Sequence, residues 1–248
     1  MTMFNGGLVF DLETTGKDPQ SDRIITAYLG EMDAHGRILQ ERSFVVDPMV
    51  PIPEESVRVH GYDRERVDRE ANATIYELVS WLHAVITSEA RHRSLPVIGY
   101  NLQYDLTMLE AERARWTPNI APLQFFDRIS AQTGVPVIDT FVLDKAADPY
   151  RKGSRKLVDT ARHYKVHLSE ADAHGASADA VAAGRIAIKL TEHWPQLFNH
   201  GIYTLHERQI EWKKKQSASL QAYFRKTDPN ATVAGEWPTI PNPERTAA

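Results

Sequence analysis

The chain has 248 residues, 42% hydrophobic and 25% charged, with a formal net charge of −4, which suits one large domain, or a domain with an appendage, and leaves ample material for a core. It has no cysteine, which excludes disulfides, thiolate zinc sites and a cysteine nucleophile and fits a cytoplasmic protein; no apolar run reaches the roughly 18 residues of a membrane span, and the opening MTMFNGG lacks the basic start and apolar stretch of a signal peptide. The acidic balance gives no whole-molecule support to nucleic-acid binding, so a nucleic-acid substrate would need metal ions and local basic groups for its phosphates.

The first element is the apolar run that enters LVFDLETTG at residues 8–16. It reads as a short buried strand over 8–13, where alternate side chains share a face. Asp11 and Glu13 then project side by side, while Phe10 and Leu12 point into the core. Two carboxylates so placed repel, and either one holds a proton or a hard divalent cation sits between them. An Asp-x-Glu pair arises by chance about once in a chain of this acidity, so its weight comes from what lies around it. Residues 23–32 and 37–46 read as two more strands joined by the Asp33-Ala34-His35-Gly36 turn, most simply an antiparallel meander. A proline-punctuated loop follows over 47–53, then a short helix over 54–61 stopped by Gly61. Residues 74–91 carry the clearest helix: Ile75, Leu78, Val79, Leu82 and Ile86 make one apolar face, and Thr74 with Glu77 forms a capping box.

A buried strand over 95–100 leads to Asn101 and a helix over 102–115. Another short strand, 135–138, ends at Asp139. An amphipathic helix over 154–165 and an alanine-rich helix over 177–192 follow, the small residues allowing neighbours to approach closely. Strands clustered first and then alternating with helices imply an α/β domain with a mixed sheet. A further helical stretch, 199–226, contains Lys213-Lys214-Lys215, expected to face solvent. Residues 228–248 hold four of the 14 prolines and read as a poorly ordered or loosely docked tail. The division is therefore a domain over 1–198 and a helical extension with a proline-rich tail over 199–248, the domain being expected to fold without the extension.

Two later segments offer partners for the first acids. In NLQYDLTML, Asp105 occupies the first turn of a helix after a buried strand; alone, such an acid is more often a dipole or capping residue than a ligand. In HGASAD, His174 stands in a loop five residues before Asp179, which opens the alanine-rich helix. Each acid lies at a strand end or helix start, where α/β sheets gather their ligand sites.

The three segments in this order resemble the motifs of the DEDDh family of 3′–5′ exonucleases, the group that includes the proofreading (epsilon) subunit of bacterial DNA polymerase III. The resemblance spans roughly residues 5–195, with VVDPMVPIPEESVRVHGY and SRKLVDTARHYKV as linking segments. Ser177 departs from a position where a larger apolar residue is common, and Tyr62-Asp63 from one where Ile-Thr is common. The resemblance implies a ribonuclease-H-like fold, a mixed five-stranded sheet with helices on both faces. It implies Asp11, Glu13, Asp105, His174 and Asp179 as catalytic residues, the four acids holding two divalent cations, Mg²⁺ or Mn²⁺. Leu12, Thr14, Thr15, Gly16, Asn101 and Tyr104 would hold the 3′-terminal nucleotide; Tyr104 reads equally well as packing beneath Asp105. Two ions roughly 3.5–4 Å apart clamp the attacking and leaving oxygens of a phosphodiester, and a histidine beside the water serves as general base. The implied activity is removal of nucleoside 5′-monophosphates from a single-stranded or frayed DNA 3′ end, with a DNA polymerase or a replication or repair protein as a partner and no membrane. An exoribonuclease of the oligoribonuclease or RNase T kind stays open, as does a non-catalytic polymerase-associated module. Arg113, Arg115, Arg128, Arg151, Lys152, Arg155 and Lys156 form basic clusters that would hold phosphates of the upstream strand or simply face water.

Overall fold

The computed structural model describes residues 5–127, 134–169 and 174–242. β1 (Gly6–Thr14), β2 (Ile24–Asp33) and β3 (Ile38–Val45) form the expected antiparallel meander. β4 (Val97–Gly99) and β5 (Val137–Asp139) add on in parallel, giving a five-stranded mixed sheet of order β3-β2-β1-β4-β5. The helices are α1 (Glu54–His60), α2 (Arg64–Glu70), α3 (Ile75–Arg93), α4 (Leu102–Trp116), α5 (Thr140–Ala147), α6 (Leu157–His163), α7 (Ala176–His193), α8 (Pro195–Phe198) and α9 (Gly201–Phe224). Among the described residues no helix is long and apolar enough to cross a membrane.

The sheet is sandwiched because β1, up to Phe10, is apolar on both faces. Leu8, Phe10 and Leu12 join one core with Leu78, Leu82 and Ile86 of α3 and Leu102, Leu106 and Leu109 of α4. Val9 joins a second core with α7. The apolar face of α3 is buried, and its capping box forms: the Glu77 N–H donates to Thr74 Oγ1 at 3.2 Å, while the Thr74 N–H donates to Glu77 Oε2 at 2.8 Å. Each such large side chain contributes about 1.5–3 kcal/mol by leaving water. On the opposite face the alanines of α7 permit a close approach. A Cβ on Gly184 would stand 2.5 Å from Val9 Cγ1 and 2.7 Å from the Met32 sulfur, so only glycine fits there.

Three helices were not anticipated. α2 holds a single buried residue, Val67, so no periodicity marks it; its start is set by Asp63, whose carboxylate accepts from the Arg66 N–H at 2.7 Å. α5 begins directly from β5 with no intervening loop, its N-cap being Asp139. α8 spans four residues beginning at Pro195. The strand expected over 135–138 is displaced to 137–139, Val135 forming an isolated bridge with Phe125.

The carboxyl-terminal expectations are corrected. Residues 228–242 are docked, not loose. Trp237 is 7% exposed within the α3/α4 core, Ser217 Oγ donates to the Ala234 carbonyl at 2.7 Å, and the Ile240 N–H donates to Thr107 Oγ1 at 2.9 Å. Apolar residues are few in this tail, but backbone hydrogen bonds to α4 and α9 replace them as anchors. Lys213 is 8% exposed and turned inward toward Asp139, whereas Lys214 and Lys215 face solvent. α9 lies along the open edge of β5 and satisfies it with side chains. His206 Nδ1 accepts from the Val137 N–H, Gln209 Oε1 accepts from the Asp139 N–H, and Gln209 Nε2 donates to the Val137 carbonyl, at 3.0, 2.7 and 2.8 Å. A sheet edge left unpaired is a liability, and α9 removes it here.

Candidate active site

Asp11 and Glu13 lie on the face of β1 that carries Val9, pointing toward α7. The Gly184 contact sets α7 close against the sheet, and its first turn brings Asp179 beside them. One carboxylate oxygen from each of Asp11, Glu13 and Asp179 lies within 4.8 Å of the others. The pairing of β1 with β2 shifts register between Glu13 and Thr14, a bulge of the kind that re-aims side chains at the end of a strand. Asp105 enters from the first turn of α4, 5% exposed, its Oδ1 accepting the Leu12 N–H at 3.2 Å. It stands next to the three-acid cluster rather than within it and pins the backbone between Asp11 and Glu13.

Burial raises the pKa of all four acids, and repulsion between them adds to it at Asp11, Glu13 and Asp105. Burial pushes Asp11 well up, helped by repulsion from Asp105, Glu13 and Asp179. Burial and then Asp179 and Asp105 push Glu13 to about 8. Burial raises Asp105, against the pull of its backbone hydrogen bonds. Asp179 is pushed by burial to about 6, with the backbone and charge of His174 opposing. Its Oδ1 is buried without a hydrogen-bond partner. A crowd of oxygen acceptors that resist ionisation together, one of them orphaned, is the donor set a hard divalent cation takes, and the residues fit such an ion.

His174 is exposed, with a left-handed backbone (φ 68°), and its N–H donates to Asp179 Oδ2 at 3.3 Å. Residues 171–173 of its loop lie outside the described residues. The turn after β1 is braced from several sides. The Tyr104 hydroxyl donates to the Gly16 carbonyl and meets Thr14 Oγ1, both at 2.5 Å. The Thr15 hydroxyl donates to Asp22 Oδ1 at 3.0 Å, and Ser56 Oγ donates to the Thr15 carbonyl at 2.8 Å. Thr15 is thus turned inward, and Leu12 offers the site its backbone only, its side chain lying in the core. Tyr104 is half-buried, holding the turn from below. Asn101 is exposed, in the left-handed conformation asparagine tolerates (φ 62°).

Beside Glu13 lies a cavity of about 140 Å³ walled by Glu13, Thr14, Gly16, Ser56, Val59 and His60. Its far wall is α1, which sequence reasoning placed as a helix without giving it a site role; VRVHGY was the available signal. His60 is 7% exposed, its Nδ1 accepts the Tyr62 N–H, and burial lowers its pKa. A larger hollow of about 540 Å³ lies along α3 and the 120–124 segment, and none of Asp11, Glu13, Asp105 and Asp179 lines it. Asp139 was also passed over, its sequence position being merely the end of a strand.

The basic clusters are corrected. Arg151 and Arg155 both bind the fully buried Asp144, at 2.8 and 2.5 Å. Arg113 pairs with Glu110 at 2.8 Å and Arg115 with Glu112 at 3.2 Å. These guanidinium groups hold the protein's own carboxylates. Lys152 and Lys156 are exposed, and Arg128 lies outside the described residues.

A mixed five-stranded sheet whose first strand ends in clustered acids, completed from α4 and α7, defines the exonuclease class of ribonuclease-H-like folds. The chain belongs to the exonuclease family RNase_T, which it matches over residues 8–187, and within it to the DEDDh-type 3′–5′ exonucleases. It is 25% identical over 201 residues to a PolC-type DNA polymerase III of Ureaplasma parvum serovar 3, covering 81% of this chain and 12% of that one. Among solved structures it is similar to E. coli exonuclease I in complex with a dT13 oligonucleotide (TM-score 0.62, 19% identity, 79% of this chain and 43% of that one). It is also similar to exonuclease I from Methylocaldum szegediense (TM-score 0.59, 18% identity, 88% and 46%). The chain thus spans about an eighth of the curated relative and under half of these structures. Family membership and the acidic cluster together mean that the enzyme uses divalent metal.

Proposed function

We propose that the chain removes nucleotides one at a time from the 3′ end of single-stranded or frayed DNA, releasing nucleoside 5′-monophosphates with two divalent cations, Mg²⁺ or Mn²⁺. The observation that carries this reading is the meeting of Asp11, Glu13 and Asp179 within 4.8 Å beside a cavity of about 140 Å³. When bound, the cations supply neutralisation of the phosphate and a clamp on the attacking and leaving oxygens. Asp11 would be shared between the two ions, Glu13 and Asp179 would complete the set for one, and Asp105 would support the other. Thr14, Gly16 and the backbone of Leu12 and Thr15 hold the terminal nucleotide, with Asn101 at the rim and Tyr104 keeping the turn in place. His174 takes the proton of the attacking water; as the new phosphorus–oxygen bond forms, the bond to the leaving 3′ oxygen breaks and that oxygen takes a proton from solvent. The E. coli enzyme solved with an oligonucleotide favours a DNA strand as substrate, and the likeness to a polymerase chain favours a polymerase or another replication or repair protein as partner.

The test is digestion of matched DNA and RNA single strands, each labelled at the 5′ or the 3′ end. A 5′-labelled DNA strand should shorten stepwise while the 3′ label appears at once as mononucleotide, and chelation should stop both. Release of the 5′ label first, or undiminished digestion in excess EDTA with metal removal verified, overturns the proposal; faster digestion of RNA replaces DNA as the substrate. Asp11→Asn should remove turnover more completely than any single change outside the acidic cluster, and near wild-type turnover in that variant would refute the metal assignment.

A further inference from the structure

Asp139 is fully buried, yet the proposed chemistry gives it no part. Its Oδ1 accepts the Asn101 N–H at 2.9 Å and the Phe141 N–H at 3.0 Å. The first of these bonds crosses from the end of β5 to Asn101, the residue that opens α4, and four residues further on the first turn of α4 carries Asp105. Asp105 in turn holds the Leu12 N–H between Asp11 and Glu13. A continuous set of hydrogen bonds and one helical turn therefore runs from Asp139 to the acidic cluster. What fixes Asp139 comes from beyond residue 187, where the family match ends. Gln209 accepts its N–H at 2.7 Å, Trp237 Nε1 donates to its Oδ2 at 3.5 Å, and the buried Lys213 supplies the opposing charge. The strap over 236–240 grips α4 at Gln103 and Thr107, one turn apart, away from the side that carries Asp105.

We propose that Asp139, fixed by Gln209, Lys213 and Trp237 of the carboxyl-terminal extension, is a positioning residue that sets the start of α4 and hence the place of Asp105 in the metal site. The inference rests on the metal site proposed above. Groups that orient metal ligands from behind typically change metal affinity or activity by about 10–100-fold when lost.

The test compares two double variants of the full chain by Mn²⁺ binding, read from the electron paramagnetic resonance of free Mn²⁺, and by exonuclease rate against Mn²⁺ concentration. Asp139→Asn with Lys213→Met removes both charges but keeps an oxygen that accepts from Asn101 and Phe141. Asp139→Ser with Lys213→Met keeps a cap for α5 but is too short to reach Asn101 as well. The first should bind Mn²⁺ within about threefold of the parent, and the second about tenfold more weakly, with a lower rate at saturating Mn²⁺. Equal binding and equal rates in the two variants overturn the proposal. If the serine variant does not fold, Trp237→Phe, which removes only the donor to Oδ2, should weaken Mn²⁺ binding by about threefold, and unchanged binding counts against the proposal. Asp11→Asn is the control: if it leaves Mn²⁺ binding intact, the metal site itself is misassigned, a result distinct from failure of the Asp139 inference.

Discussion

His174 and Asp179 are joined through the histidine backbone rather than its side chain: the His174 N–H meets Asp179 Oδ2 at 3.3 Å, and the residue is exposed. That arrangement suits a base that engages only with substrate in place, since catalytic hydrogen bonds often tighten only in the complex. His174→Ala should therefore cost about 10²–10⁴-fold in turnover, the usual range for a general base, with Mn²⁺ binding unaltered. A wild-type rate would remove His174 from the mechanism, and lost Mn²⁺ binding would make it a ligand. Arg155 makes the opposite case. Its guanidinium and that of Arg151 enclose Asp144, which has no exposed surface. Arg155→Met should lower unfolding stability by about 1.5–3 kcal/mol, the range for a hydrogen bond to a charged group, while the salt dependence of oligonucleotide binding stays as in the parent. A flattened salt slope with unchanged stability would instead return Arg155 to the nucleic-acid surface.

The element that most alters the picture is α9. It covers both the polar edge of β5, through His206 and Gln209, and apolar surface, through Leu205. We propose on these contacts that the boundary after Phe198 does not mark an independently folding unit. Truncation there should expose the β5 edge and the cavity left by Trp237 and give a protein that aggregates or unfolds at lower temperature than the full chain, as thermal scans of the two would record. A truncated protein with the unfolding midpoint of the full chain would restore the simpler division. What was legible in the sequence follows the same physics. The β1–β3 meander, α3, α4 and α7 announce themselves because their own residues alternate or recur with a helical period, and Asp11, Glu13, Asp105, His174 and Asp179 stand at ends that such patterns delimit. Asp139, Lys213 and Trp237 carry no local signal. Their meaning lies in partners 98 residues apart for Trp237 and Asp139, and a buried lysine inside Lys213-Lys214-Lys215 reads like its exposed neighbours. The guanidinium groups on Asp144 likewise look basic in sequence and become neutralised only in the fold.

At the scale of the whole molecule, the buried titratable groups pull stability in opposite directions with pH, and the two trends meet on the acid side of neutrality. His83 and His206 are held neutral by burial, each with its pKa lowered from 6.5 to about 4. A depressed histidine contributes its stability in full above 6.5 and loses it as pH falls through 4. The acidic cluster behaves in reverse. Asp179 and Glu13 have pKa values raised to about 6 and about 8 from 3.8 and 4.5, so their protonated forms suit the fold. Their contribution is complete below the unfolded values and disappears as pH rises through 6 and then 8. Surface acids with lowered values, such as Asp33 near 2, act below about pH 4 and leave this window alone. In the metal-free protein the unfolding temperature should thus peak between about pH 5 and 6 and decline toward pH 9. Divalent cations bind the ionised carboxylates and favour the folded state by mass action, an effect that grows as protons leave the ligands. Saturating Mg²⁺ or Mn²⁺ should then abolish the alkaline decline, and the metal-induced rise in unfolding temperature should be larger at pH 8 than at pH 6, as calorimetry in EDTA and in metal across this range would measure. Asp11→Asn, which removes one of the mutually repelling charges, should lessen both the decline and the metal response. A metal-free protein whose stability climbs steadily from pH 6 to pH 8.5 would mean that these acids ionise without penalty, and the cluster would then lack the strain that makes a cation its natural occupant.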